Sequence, residues 1–171
     1  MSIKKIKTES LIRDYLLDEG ILKEKLTNSN FDFGFVISFP PGPKSELLSV
    51  YKPKNKNKID ITIRIKLSEK HAKTLTSLKN NRIFQFYNDI RRYFIIKEVY
   101  FKIDFKNFMY EIHEQIFLDN NESISKNDLF KGIKKVFYCF LFSNLLLEEY
   151  CSEKELSSKK FTPGFDFSFY S

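Results

Sequence analysis

Between residues 59 and 67 the chain reads Ile-Asp-Ile-Thr-Ile-Arg-Ile-Lys-Leu, with an aliphatic residue at every odd position and a polar one at every even position. Strand side chains point alternately to the two faces of a sheet, so this pattern describes a strand with one buried and one wet face. Sheets wetted on one side are typically antiparallel, because parallel sheets are covered by helices on both faces. Whatever else the chain forms must therefore cover one side of such a sheet.

Other segments repeat the signature. Phe31, Phe33, Phe35, Ile37 and Phe39 alternate with Asp32, Gly34 and Ser38 until Pro40-Pro41-Gly42-Pro43 stops the ladder. Leu47 to Lys52 follows as a strand, and Ile21 to Thr27 is a short candidate before them. Val99, Phe101, Ile103 and Phe105 alternate next, and Phe108 to Leu118 continues after a turn at Lys106-Asn107.

Helical spacing occupies the intervals. Leu11, Ile12, Tyr15 and Leu16 predict a helix over about residues 9–19, capped by Thr8 or Ser10 and stopped by Gly20. Ser68 caps a segment carrying Ala72, Leu75 and Leu78; Asn80-Asn81 breaks it; Ile83, Phe86, Tyr87, Ile90 and Phe94 resume it. Ser125, with Asp128 three residues on, opens a long helix reaching about residue 151. The expected order is α-β-β-β-α(α)-β-β-α with an optional fourth early strand. Segregated strands and helices make this an α+β fold: a mainly antiparallel sheet of five or six strands with helices packed on it. Residues 1–151 read as a single domain. Residues 152–171 change character, with a Ser/Lys linker followed by Phe161, Phe165, Phe167, Phe169 and Tyr170.

Several stretches carry a family resemblance: Ile12 to Gly20, Ile63 to His71 (IRIKLSEKH), Ile83 to Tyr93 (IFQFYNDIRRY, with Asp89 and Arg91) and Ile116 to Phe130 (IFLDNNESISKNDLF). On these the chain, over about residues 8–151, resembles a family of uncharacterised conserved archaeal proteins with a fold like that of type III secretion chaperones. The resemblance implies a fold and a style of binding partner segments, often as dimers; it implies no reaction.

Composition narrows the chemistry. Five Gly, two His and two Cys in 171 residues leave little material for phosphate-binding loops, zinc sites or catalytic triads. His113-Glu114 lies on an expected strand, which sends the two side chains to opposite faces. Cys139 sits among Phe137, Tyr138 and Phe140 and reads as a buried thiol. Cys139 and Cys151 lie twelve residues apart in one expected helix. At ~1.5 Å per residue that is about 18 Å, beyond disulfide reach. Asp60 and Asp104 would meet only if their strands were neighbours. No cofactor, metal or enzymatic activity is expected.

Two features invite a partner. In the last helix, ten of the twelve residues from Val136 to Leu147 are apolar, Tyr or Cys, pointing all around the axis. Such a helix needs cover on more than one side. The candidate protein interface is Phe137, Phe140, Leu141, Phe142, Leu145 and Leu146 with Phe165, Phe167 and Phe169 of the tail, for a protein partner or a second copy in a homodimer. The second feature is charge. Residues 44–102 hold fifteen basic and five acidic residues, within a formal net charge of +7. Lys52, Lys54, Lys56 and Lys58, with Arg91 and Arg92, form a candidate basic patch for nucleic acid, and Tyr51 and Tyr100 offer stacking faces. The residues 136–147 are too few to span a bilayer, which needs ~20. Met1 to Lys7 lack the apolar core of a signal peptide, so a cytoplasmic protein without membrane contact is expected. The function these features favour is a non-enzymatic protein-binding or chaperone-like module. The alternative is a basic accessory protein that binds nucleic acid.

Overall fold

A computed structural model describes residues 3–77, 82–119 and 123–152, with side chains from residue 7 onward. Its elements are α1 (Ile3–Asp18), β1 (Leu22–Lys25), β2 (Phe31–Phe39), β3 (Glu46–Pro53), β4 (Lys58–Lys66), α2 (Glu69–Ser77), α3 (Arg82–Ile96), β5 (Tyr100–Asp104), β6 (Met109–Phe117) and α4 (Lys126–Cys151). The expected α+β order holds, with all four early strands present.

The strands form one antiparallel sheet in the order β1-β2-β3-β4-β6-β5. Three hairpins link its first four strands and a fourth links β5 to β6, while α2 and α3 intervene between β4 and β5. Register pairs Ile59 with Ile116, Ile61 with Glu114 and Ile63 with Ile112. Directly opposed residues share a face, so these isoleucines form the floor of the core. The alternate set pairs Asp60 with Gln115, Thr62 with His113 and Arg64 with Glu111 on the opposite face. His113 and Glu114 thus point to opposite sides, as period two requires.

The helices lie over the isoleucine face. α4 lies close to the sheet at Gly132, where a Cβ would stand 2.7 Å from Ile61 Cδ1 and 2.9 Å from Ile116 Cδ1. Only a residue without a side chain lets the helix axis settle that near the strands. Glu114, the one charged residue on this stretch of floor, is met by Lys135 of α4 at 3.0 Å, and the same ammonium donates to the Glu98 carbonyl. α3 runs antiparallel beside α4. Arg82 donates to the Tyr150 carbonyl at 3.1 Å, and Tyr150 Oη donates to Asp89 Oδ2 at 2.6 Å. Tyr93 stacks on Phe142 with ring centroids 3.6 Å apart.

Local signals set the ends. Ser125 Oγ accepts from Asp128 N at 3.0 Å and donates to its carboxylate at 2.6 Å, a reciprocal N-cap. Ser68 Oγ accepts from His71 N in the same way. Gly20, at φ 65°, ends α1 in the left-handed conformation while Ile21 N bonds back to the Leu16 carbonyl. One expectation is corrected here. α1 begins at Ile3, not near residue 9, and Thr8 is a buried residue inside it, 2% exposed, and not its cap. The residues before Thr8 continue the helix because nothing in Ile3 to Lys7 breaks it.

Candidate functional site

Packing gives α4 a defined rotation. Val136, Phe137, Cys139, Phe140, Ser143, Leu146 and Leu147 are buried. Phe137 meets Phe39 edge-on at 5.2 Å, and Tyr110 Oη donates to Ser143 Oγ at 2.8 Å. The sheet, α2 and α3 therefore cover three sides. The fourth carries Tyr138, Leu141 and Leu145, which are 58%, 40% and 60% exposed. Their spacing of three then four residues aligns them on one stripe along the helix.

The candidate interface therefore divides. Phe137, Phe140 and Leu146 face inward and belong to the core. Phe142 is half-buried at the margin, against Tyr93, whose ring also carries Lys97 Nζ 5.6 Å from its centroid. Leu141 and Leu145 face solvent. Phe165, Phe167 and Phe169 lie outside the described residues. Tyr138 joins the exposed stripe although hydrophobicity alone did not single it out; the outward repeat of Lys134, Tyr138, Leu141, Leu145 and Glu148, at intervals of four and three, is the signal that marks it.

The stripe is charged oppositely at its two ends. Lys131 and Lys134 are exposed on the N-terminal side, Glu148 and Glu149 on the C-terminal side. None of the four side chains forms an ion pair within the described residues. The nearby Lys126 differs, lying 2.8 Å from Glu19 and 3.6 Å from Asp18. Beside this half of α4 is a cleft of about 270 Å³ lined by Ile21, Phe39, Pro41, Phe130, Lys126 and Lys134.

The candidate basic patch is dispersed. Lys52 is buried, 6% exposed, with its ammonium 3.0 Å from Asp32. Lys58 stands 2.9 Å from Asp60. Lys54 and Lys56 are exposed in the β3–β4 turn. Arg91 and Arg92 belong to α3, in the helix layer over β5, and Arg92 lies 3.7 Å from Asp89. Tyr51 stacks on Phe31 at 4.2 Å, which occupies one of its faces, while Tyr100 is 58% exposed on the edge strand.

The helix-free sheet face holds a polar network. Glu111 takes Arg64 at 2.7 Å through one carboxylate oxygen and faces His113 Nε2 at 3.0 Å through the other. Burial, reinforced by the charges of Asp60 and Glu111, pushes the Tyr51 phenol up to about 12. Asp60 and Asp104 do not meet, because β6 lies between their strands. Burial pushes the Cys139 thiol up to about 11, which keeps it from acting as a thiolate at neutral pH. Among the described residues no group of three His, Cys, Asp or Glu is placed to hold a metal ion. No helix there is long and apolar enough to cross a membrane.

Fold and surface together define an α+β protein with a helix-covered antiparallel sheet and an exposed apolar stripe on its longest helix. Residues 8–147 match the family described as "Uncharacterized conserved protein (DUF2299)", and the chain belongs to that family. Its fold is similar to that in the crystal structure of an uncharacterized protein from Methanothermobacter thermautotrophicus. The two share 22% sequence identity at a TM-score of 0.76, over 85% of this chain and 99% of the other. No curated protein matches the chain significantly.

Proposed function

We propose that this chain is a non-enzymatic protein-binding module whose contact surface is the outward stripe of α4. The observation that carries the reading is Tyr138, Leu141 and Leu145, three large side chains left in water in one line along a helix whose other apolar residues are mostly buried. Apolar residues in line on a helix are a common anchor pattern for a partner helix or groove. The Phe142–Tyr93 stack widens the surface on one side and the cleft by Phe130 extends it on the other. Aromatic and aliphatic anchors of this kind, rimmed by charge, supply most of the energy in protein interfaces. The resemblance to type III secretion chaperones supports the same style of action, the holding of a partner segment without chemistry. The nucleic-acid reading is weaker because Lys52 and Lys58 are neutralised by Asp32 and Asp60.

The test is a photo-crosslinking residue placed at position 141 of the full chain in the cells that make it, with position 102 on β5 as control. Protein adducts at 141 and few at 102 are expected. Absence of protein adducts at 141, or crosslinks to nucleic acid in their place, would overturn the proposal.

A further inference from the structure

We infer that the α4 stripe docks against the α4 stripe of a second copy of this chain, the two helices antiparallel about a twofold axis passing beside Leu141. This rests on the reading of α4 as the contact surface and names its partner. The order of residues along the stripe is Lys134, Tyr138, Leu141, Leu145, Glu148. Turned end for end, the same row places Leu141 on Leu141, Tyr138 on Leu145 and Lys134 on Glu148 of the other copy. Leu141 lies seven residues from both Lys134 and Glu148, so both charges stand at ~10 Å from the axis at ~1.5 Å per residue. Lys131 and Glu149 fall beyond them with the same complementary signs.

This is the self-complementarity that a twofold interface requires, since every contact occurs twice. The parallel arrangement fails the same test, because it sets Lys134 against Lys134 and Glu148 against Glu148. Like charges in opposition exclude the wrong orientation more than opposite ones add affinity. The intervals of four and three match the knobs-into-holes seam of paired helices. Lys134 and Glu148 make no ion pair inside the described part of the chain, so each is available across the axis. A single helix pair buries less than the ~1,200–2,000 Å² of a standard stable interface. Association is therefore expected at micromolar or higher concentration, and to weaken with salt.

Sedimentation equilibrium of the full chain at low salt, over a wide range of micromolar concentrations, tests this. The unaltered chain should dimerise. Leu141→Glu should abolish the dimer by opposing two carboxylates at the axis. Lys134→Glu and Glu148→Lys should each weaken association about tenfold, since each creates two like-charge pairs. The double variant Lys134→Glu/Glu148→Lys should restore it, because the reversed charges again meet their opposites. Unchanged far-UV circular dichroism and thermal midpoint confirm that these surface variants fold. A chain monomeric at every concentration, a dimer indifferent to Leu141→Glu, or a double variant no better than the singles would overturn the inference. A monomer that still crosslinks other proteins through position 141 would overturn this inference and leave the broader proposal standing.

Discussion

Tyr110 of β6 donates its hydroxyl proton to Ser143 of α4 across 2.8 Å, and Ser143 donates onward to the Phe140 carbonyl at 2.7 Å. Both side chains are buried, and the contact bridges sheet and helix 33 residues apart in sequence. It also sets which side of α4 meets water. Successive helical residues turn by ~100°, so the residues two before and two after an inward Ser143 lie ~200° away. Those residues are Leu141 and Leu145. The polar bond beneath the helix and the apolar stripe above it are one geometric fact.

Removing the donor with Tyr110→Phe should lower stability by ~1 kcal/mol, the net worth of a typical buried hydrogen bond. Paired with Ser143→Ala in a double-mutant cycle under urea denaturation, the two should show coupling of ~0.5–1.5 kcal/mol. Strict additivity would deny the bond a role in seating α4.

Gly132 permits the close approach of α4 to β4 and β6. Gly132→Val should destabilise the fold by ~1–3 kcal/mol, because the added methyls must displace Ile61 and Ile116. Thermal or urea unfolding reads this directly. An unchanged midpoint would mean that the helix sits farther from the sheet.

Asp32 and Lys52 form a pair whose side chains are only 14% and 7% exposed. Breaking such a pair on one side strands a buried charge and costs ~3–5 kcal/mol, so Asp32→Ala should be strongly destabilising. Lys54→Ala, on the exposed turn of the same hairpin, should change stability by less than ~0.5 kcal/mol. Equal effects would place Lys52 at the surface and return it to the basic patch.

Alkaline pH should weaken the fold. Burial raises the phenols of Tyr51 and Tyr110 to about 12, and the Cys139 thiol to about 11. It raises Tyr87 and Tyr150 further, Tyr150 also through its bond to Asp89. Each folded pKa lies above its unfolded value, so above that unfolded value the native chain holds protons that the unfolded chain releases. The stabilisation is complete below about pH 9 and falls as pH rises through about 9 to 12. Urea denaturation across that window should show a falling midpoint, with buried phenols ionising only as the chain unfolds. A midpoint constant to pH 12 would contradict the burial of these groups.

The legible and illegible parts of this fold differ in kind. Strand β4 could be read from Ile59 to Leu67 because period two is satisfied by one local geometry. The cap at Ser125 and the stop at Gly20 were equally readable, since each depends on neighbours within a few residues. α1 ran longer than expected because helix starts are marked weakly when no residue forbids continuation. The rotation of α4 was hidden for a different reason. With apolar residues all around the axis, Phe137 and Leu141 look alike, and only the floor of isoleucines and Tyr110 decides which is buried. The basic patch is divided between elements because clustering in sequence says nothing of layer. Arg91 and Arg92 ride on a helix while Lys54 and Lys56 sit in a hairpin, and Asp32 had already claimed Lys52. The outward charges of Lys134 and Glu148 were readable only once the stripe between them was known.

The most direct measurement is a distance across the proposed twofold axis. Leu141→Cys in a Cys151→Ser background leaves Cys139 as the other thiol, which is buried. Mild oxidation of the folded protein at high micromolar concentration should then yield a covalent dimer on a non-reducing gel, because residues at the axis come within the ~4.4–6.8 Å Cα separation that a disulfide needs. Lys102→Cys in the same background, exposed on the far edge of the sheet, should stay monomeric. A dimer formed by Cys at position 141 and not at 102 is the result this account predicts; no dimer at 141, or equal dimer at both, would contradict it.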